Sequence, residues 1–126
     1  MTRSWWTLCR RNSAVVDDVR FQPLRIPSGW TVDWNTFYEE DPCEENFIVF
    51  DGSSLFAATH RGARVAIDME FQPKNLEEGQ YHAAYFKYAR TKVTEPTLIG
   101  TFETRDRLKM AEELERFMIE LTPPRS

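Results

Sequence analysis

The residues whose spacing best suits chemistry are Asp68, Glu70 and Gln72, which alternate along one predicted strand. Alternate residues of a strand point to the same face of a sheet, so two carboxylates and an amide are expected side by side. Carboxylate and amide oxygens are ligands that Mg²⁺ accepts. With Asp51 upstream, this face predicts one candidate activity, metal-dependent cleavage of nucleic acid by Asp51, Asp68 and Glu70.

The same carboxylates resemble those of restriction-endonuclease-like nucleases, in which a lysine follows on the same strand. Gln72 occupies the position of that lysine here. The net charge of the chain is −4 at pH 7, and an acidic surface repels the phosphates of nucleic acid. The solvated face of a half-buried strand explains the pattern as well. We therefore expect a non-catalytic chain without metal, cofactor or nucleic-acid ligand.

A second feature is a run of five carboxylates within seven residues, formed by Glu39, Glu40, Asp41, Glu44 and Glu45. Residues 31–60 contain seven acidic side chains and no Lys or Arg. Such a surface attracts a basic protein partner and raises the rate of association. A solvated loop that keeps the protein soluble is the simpler interpretation, because charge runs usually serve that purpose.

The sharper interpretation is that this acidic loop mimics a phosphate backbone and docks in the cationic groove of a nuclease. Three aromatic residues precede the loop and are candidate anchors for a partner: Trp34, Phe37 and Tyr38. Large aromatic side chains often dominate binding energy. Part of this set is also needed for the core.

Other sites receive no support from the sequence. His60 and His82 are the only histidines, and neither has a His or Cys neighbour at metal-ligand spacing. The two cysteines, Cys9 and Cys43, form no CxxC pair, which indicates neither a disulfide framework nor a zinc site and favours a reducing compartment. No stretch has the signature of a signal peptide or the roughly 20 apolar residues that cross a bilayer. We expect a cytoplasmic protein with no membrane partner.

The elements that must position these residues are predicted from hydrophobic periodicity. The 126 residues fit one domain, in which 1–28 is uncertain, 30–103 is mostly β and 104–121 is a helix. The predicted strands cover 30–38, 47–50, 55–60, 65–72, 80–90 and 97–103. Short connections favour an antiparallel sheet, and the apolar stripe of the C-terminal helix predicts that it packs on one face. The expected fold is α+β, a largely antiparallel twisted sheet of about five to six strands with a helix whose N-cap is Thr104.

Several motifs together resemble the immunity proteins of contact-dependent growth inhibition and related polymorphic toxin systems. The matching segments are Trp34-Asn35-x-Phe37-Tyr38-x-x-Asp41-Pro42, Phe47 and Phe50 with Leu55-Phe56, Ile67-Asp68-Met69-x-Phe71-x-Pro73, and Gly79-x-Tyr81. The chain departs from that pattern at Glu70 and Phe71, where Gly and Trp are expected.

The resemblance implies an antitoxin that binds the C-terminal domain of a cognate toxin and blocks its active site or substrate surface. We expect the partner to be a nuclease and the contacts to come from the acidic loop and from Asp68 and Glu70. A third hypothesis is a structural subunit that pairs with itself through an exposed sheet edge. The sequence leaves the oligomeric state open.

Overall fold

The computed structural model describes residues 20–89 and 95–123, which form an antiparallel sheet with one helix on one face. Neighbouring strands pair in sequence order, from β1 at one edge to β5 at the other. The elements are β1 (Trp30–Asn35), β2 (Phe56–His60), β3 (Val65–Gln72), β4 (Gln80–Lys87), β5 (Thr97–Thr104) and α1 (Arg107–Leu121), with a 3₁₀ helix at Phe47–Phe50 between β1 and β2. The predicted α+β fold with a largely antiparallel sheet is confirmed.

Strand β3 forms the centre of the sheet and follows its sequence pattern closely. Val65, Ile67, Met69 and Phe71 are buried, and the residues between them face the other side of the sheet. A period of two with large apolar residues on one side stabilises a strand whose one face covers a core. This alternation fixes Asp68 on the face away from the core.

Helix α1 covers the core face of β4 and β5. Met110, Leu114 and Met118 are fully buried, and the ring of Phe117 stacks on Tyr85 with centroids 3.8 Å apart. The predicted N-cap, Thr104, is wrong. The carboxylate of Asp106 caps the helix instead by accepting hydrogen bonds from the N–H groups of residues 108 and 109, at 2.9 and 3.1 Å.

The predicted strand at 47–50 is also wrong, because these residues form a 3₁₀ helix. Residues three apart lie on the same side of a 3₁₀ helix. Phe47 and Phe50 therefore stack on each other, and both pack against Phe71, with ring centroids 6.0 and 5.4 Å from it. Ile48 is left on the outside, with 76% of its surface exposed. A short apolar run does not by itself distinguish a strand from a helical turn.

Strand β1 contains an irregularity that redirects its side chains. The register with β2 shifts between Val32 and Trp34, so that the predicted continuous alternation from 30 to 38 is broken. Trp30 faces the core, whereas Trp34 lies opposite Ala57 on the other face and is 54% exposed. A β-bulge inserts one residue and reverses the side-chain pattern beyond it.

The N-terminal part of the described chain runs beside the segment that follows β1. Phe21 forms a bridge with Tyr38, and the two rings stack with centroids 5.4 Å apart. Of the uncertain segment 1–28, residues 1–19 lie outside the described part of the structure. Over the ranges 20–89 and 95–123, no helix is long and apolar enough to cross a membrane.

Cys43 is fully buried and disulfide-bonded. Disulfides are rare where thiols are kept reduced. This bond weighs against the reducing compartment that the cysteine count favoured.

Candidate functional site

The acidic loop 39–45 has a fixed conformation, because the buried side chain of Asn46 holds it. The Asn46 amide oxygen accepts a hydrogen bond from the Cys43 N–H at 2.9 Å, and its amide nitrogen donates to the carbonyl of Asp41 at 2.9 Å. Pro42 and Cys43 are buried with it. A loop held from inside in this way presents its remaining side chains without a large loss of entropy on binding.

The five carboxylates of the loop have different surroundings. Asp41 forms an ion pair with Arg107, the first residue of α1, at 3.1 Å. Glu40 is half-buried and accepts a weak hydrogen bond from the Asn46 amide at 3.5 Å. Glu39, Glu44 and Glu45 are exposed, and none of them forms an ion pair with a residue of the described chain. Three of the five loop carboxylates predicted to contact a partner are therefore exposed without an ion pair in the described chain.

Asp68 and Glu70 lie on the other face of the sheet. They share the face of β3 that is free of α1, as the alternation predicts. The acidic loop lies on the helix side, because Asp41 pairs with α1 and the flanking Phe37 and Phe50 pack on the core side of Tyr81. The structure does not bring the two halves of the predicted contact surface together.

A cleft lies at the exposed edge of the fold beside β1, and only some of its lining residues were predicted from the sequence. Its volume is about 470 Å³, and we call it the Trp34 cleft. It is lined by Trp34, Thr36, Tyr38, Ile48, Val49 and residues 52–54. Trp34 and Tyr38 are two of the three predicted anchors, whereas the third, Phe37, is fully buried in the core. Ile48 was missed because its segment was predicted to be a buried strand.

The indole of Trp34 is exposed and yet fixed in place. Its Nε1 donates to the carbonyl of Ser54 at 3.0 Å and to the hydroxyl of Thr36 at 3.2 Å. The Ser54 hydroxyl in turn donates to Asp68 at 2.7 Å. Trp34 and Asp68 also face the same side of the sheet, because both lie opposite Ala57 on either side of it. The cleft and Asp68 therefore form one continuous surface.

The turn that closes the cleft is already in contact with a positively charged side chain of the same protein, that of Lys74. The ammonium group of Lys74 donates to the carbonyl of Gly52 at 2.6 Å. No Lys or Arg is among the lining residues of the Trp34 cleft in the described chain. Its walls are thus aromatic and aliphatic, with hydroxyl and carbonyl oxygens at one end.

The carboxylates of the alternative metal site do not converge. Within residues 20–89 and 95–123, no group of three His, Cys, Asp or Glu side chains is arranged to hold a metal ion. Asp51 lies in the turn after the 3₁₀ helix, while Asp68 is engaged by Ser54. The geometry does not assemble the three-carboxylate set that a nuclease using these residues requires.

A buried tyrosine lies beneath the acidic loop. The hydroxyl of Tyr81 is buried and has no hydrogen-bond partner in the described part of the chain. Burial raises the pKa of Tyr81 well above its usual range, and the negative charge of Asp41 raises it further. This arrangement gives the core a measurable response to pH.

Comparison with known proteins identifies no relative. No family model, no curated protein sequence and no solved structure matches this chain.

Proposed function

We propose that this chain is a binding protein that neutralises a basic toxin domain, in the manner of an immunity protein. The observation that carries the proposal is the Trp34 cleft, in which a large aromatic side chain is exposed on a rigid part of the fold. Surface Trp side chains that are fixed before binding are frequent energetic centres of protein interfaces. The chain then acts by covering the active site or substrate surface of its partner.

Two further observations support the proposal, and the second favours a basic partner. Phe21, Tyr38 and Ile48 extend the apolar surface around Trp34, and exposed apolar surface of this kind marks interaction sites. The carboxylates of Glu39, Glu44 and Glu45 are exposed on the loop at the helix side of the fold, and their field attracts a positively charged partner. The resemblance to immunity proteins, which rests on the motifs from Trp34 to Tyr81, adds the class of partner, the C-terminal domain of a toxin, and suggests a nuclease.

The experiment is a rescue assay with the product of the adjacent upstream reading frame. Its C-terminal domain is expressed in cells with and without this chain, growth is followed, and the affinity of the purified pair is measured by calorimetry. We expect growth to be restored by the native chain. Trp34→Ala should weaken binding by about 2 kcal/mol or more, roughly thirtyfold, and reduce the rescue.

A matched control comes from helix α1, where Ile119 is also exposed but does not line the cleft. Ile119→Ala should leave growth and affinity unchanged, whereas Ile48→Ala should weaken binding. Equal affinity for the native chain, Trp34→Ala and Ile48→Ala would show that the cleft is not the interface. A toxin domain that kills equally in the presence of the native chain would reject the function itself.

Cytoplasmic action is part of this proposal, and the Cys43 disulfide is the observation that opposes it. Protein isolated from cells can be alkylated in denaturant without reductant. A thiol at Cys43 that reacts supports the cytoplasm, because thiols are kept reduced there. A protected thiol contradicts that part of the proposal.

A second candidate, a subunit that pairs with itself, is favoured by one observation. β5 is an edge strand, and Leu98 and Ile99 on it are exposed. An apolar edge strand is a template for pairing with another chain. The molar mass measured over a dilution series separates the two candidates, because a stable dimer at low concentration favours self-pairing and a monomer removes it.

A further inference from the structure

The hydrogen bonds of Trp34 determine what the indole can offer a partner. Its only N–H group is already engaged by Ser54 and Thr36, so the indole has no donor left. What remains exposed is the π face of the ring. The face of an indole is electron-rich and attracts cations, most favourably the planar guanidinium of arginine.

The oxygen atoms around the cleft also suit a positively charged group. The carbonyl of Gly52 already accepts a hydrogen bond from the ammonium group of Lys74, so a charged group of a partner must be met by another oxygen. Asp68 receives the Ser54 hydroxyl on Oδ1, and its Oδ2 accepts no hydrogen bond from the described residues. A free carboxylate oxygen is thus next to Ser54, two strand spacings from Trp34, or about 10 Å between backbones.

The charge of the surrounding chain points the same way. The cleft is built from residues 34–54, and residues 31–60 contain seven acidic and no basic side chains. Lys74 at Gly52 and Arg107 at Asp41 offset part of this negative charge. A guanidinium would still gain from the ring and from the Asp68 carboxylate together, whereas a neutral side chain would gain from neither charge interaction.

We infer that the Trp34 cleft binds an arginine side chain of the partner, stacked on the indole with its guanidinium directed at Asp68, an inference that rests on the proposed function. Arginine fits better than lysine, because its flat fork can lie on the ring while its edge donates to a carboxylate. The cleft then selects a partner with an arginine at the centre of its contact surface.

The test uses the full chain and two small probes, Nα-acetyl-arginine amide and its citrulline analogue, which has nearly the same shape and no charge. Binding is followed by the indole N–H signal of Trp34 in nitrogen-15 NMR spectra, assigned as the signal that Trp34→Phe removes. We expect a saturable shift with the arginine probe. The citrulline probe should bind about 3- to 30-fold more weakly, as expected for loss of a cation–π contact.

Asp68→Asn tests the carboxylate without removing the acceptor for Ser54. This variant should weaken binding of the arginine probe, whereas Glu112→Gln on the exposed face of α1 should not. Circular dichroism confirms that each variant is folded. Equal binding of the two probes, no shift of the Trp34 signal, or equal effects of the two variants would each overturn the inference.

The rescue assay separates failure of this inference from failure of the function. If the arginine probe does not bind but Trp34→Ala still abolishes rescue, the cleft receives an uncharged anchor and the proposed function stands. If the native chain rescues growth but neither the rescue nor the probe responds to Trp34, the cleft and this inference are rejected and the proposed function stands. If the native chain gives no rescue, the proposed function itself is rejected.

Discussion

The exposure of Ile48 depends on the 3₁₀ helix at 47–50, and alanine substitutions there distinguish this helix from a strand. In the helix, Phe50 is 2% exposed and packs on Phe71 and Tyr81, while Ile48 is 76% exposed. In a strand, residues 48 and 50 would share one face and be buried or exposed together. The two substitutions therefore give opposite patterns in the two structures.

The magnitudes follow from the burial of each side chain. Phe50→Ala leaves a cavity among three rings and should lower the free energy of unfolding by about 3–5 kcal/mol. Ile48 has about a quarter of its surface buried, so Ile48→Ala should lower it by about a quarter of the 1.5–3 kcal/mol for full burial, or about 0.5 kcal/mol. Small domains have unfolding free energies of about 5–15 kcal/mol, so the difference is easily resolved.

The assay is equilibrium unfolding in urea at 25 °C, followed by far-UV circular dichroism. Val49→Ala serves as an internal control of intermediate burial, because Val49 is half-buried at the edge of the core. A loss of more than about 2 kcal/mol for Ile48→Ala, or of less than about 1 kcal/mol for Phe50→Ala, would refute the helical assignment. The Trp34 cleft would then lose one of its walls.

Three further predictions concern stability. Tyr81→Phe should raise the free energy of unfolding by about 1 kcal/mol, because it removes a buried hydroxyl that has no partner in the described chain. If urea unfolding instead shows a loss of more than about 1 kcal/mol, the hydroxyl has a bound partner such as water. The pKa of Tyr81 is raised in the folded state, so above about pH 10 the unfolded tyrosine ionises and the folded one does not. The free energy of unfolding of the native chain should therefore fall by about 1.4 kcal/mol per pH unit in that range because of this group. Unfolding from pH 9 to 11 should show a shallower slope for Tyr81→Phe, and an identical slope contradicts the shift. Asp106→Ala should cost about 1 kcal/mol as the loss of an N-cap, against almost nothing for Glu112→Ala, as measured by thermal unfolding.

Elements with a clear period were predictable from the sequence, and those without one were not. The alternation from Val65 to Phe71 and the stripe from Met110 to Met118 each determine one face, so β3 and α1 follow from local pattern alone. The 3₁₀ helix could not be foreseen, because the position of Phe71 decides which of four apolar residues turn inward. The N-cap was missed for a simpler reason, since both Thr104 and Asp106 are favourable cap residues.

The candidate site shows the same division. That Glu44 and Glu45 are exposed follows from their charge. The pairing of Asp41 with Arg107 depends on two segments 66 residues apart and was not predictable. The irregularity near residue 33 had no signal in the sequence, although it alone places Trp34 on the outer surface instead of beside Trp30.

The position of Trp34 also determines which carboxylates one partner can use. An interface of ordinary size covers about 800 Å² on each protein, which is enough for one face of a small domain and its edge but not for two opposite faces. The acidic loop lies on the helix side, and Asp68 and Glu70 lie on the other side. The Trp34 cleft lies at the edge and is joined to Asp68 through Ser54. If a partner is centred on Trp34, as we propose, it would contact Asp68 directly, and Glu44 and Glu45 would act on it through their field during approach. Removing the charges of Glu44 and Glu45 should lower the association rate of the partner. Removing the charge of Asp68 should raise its dissociation rate.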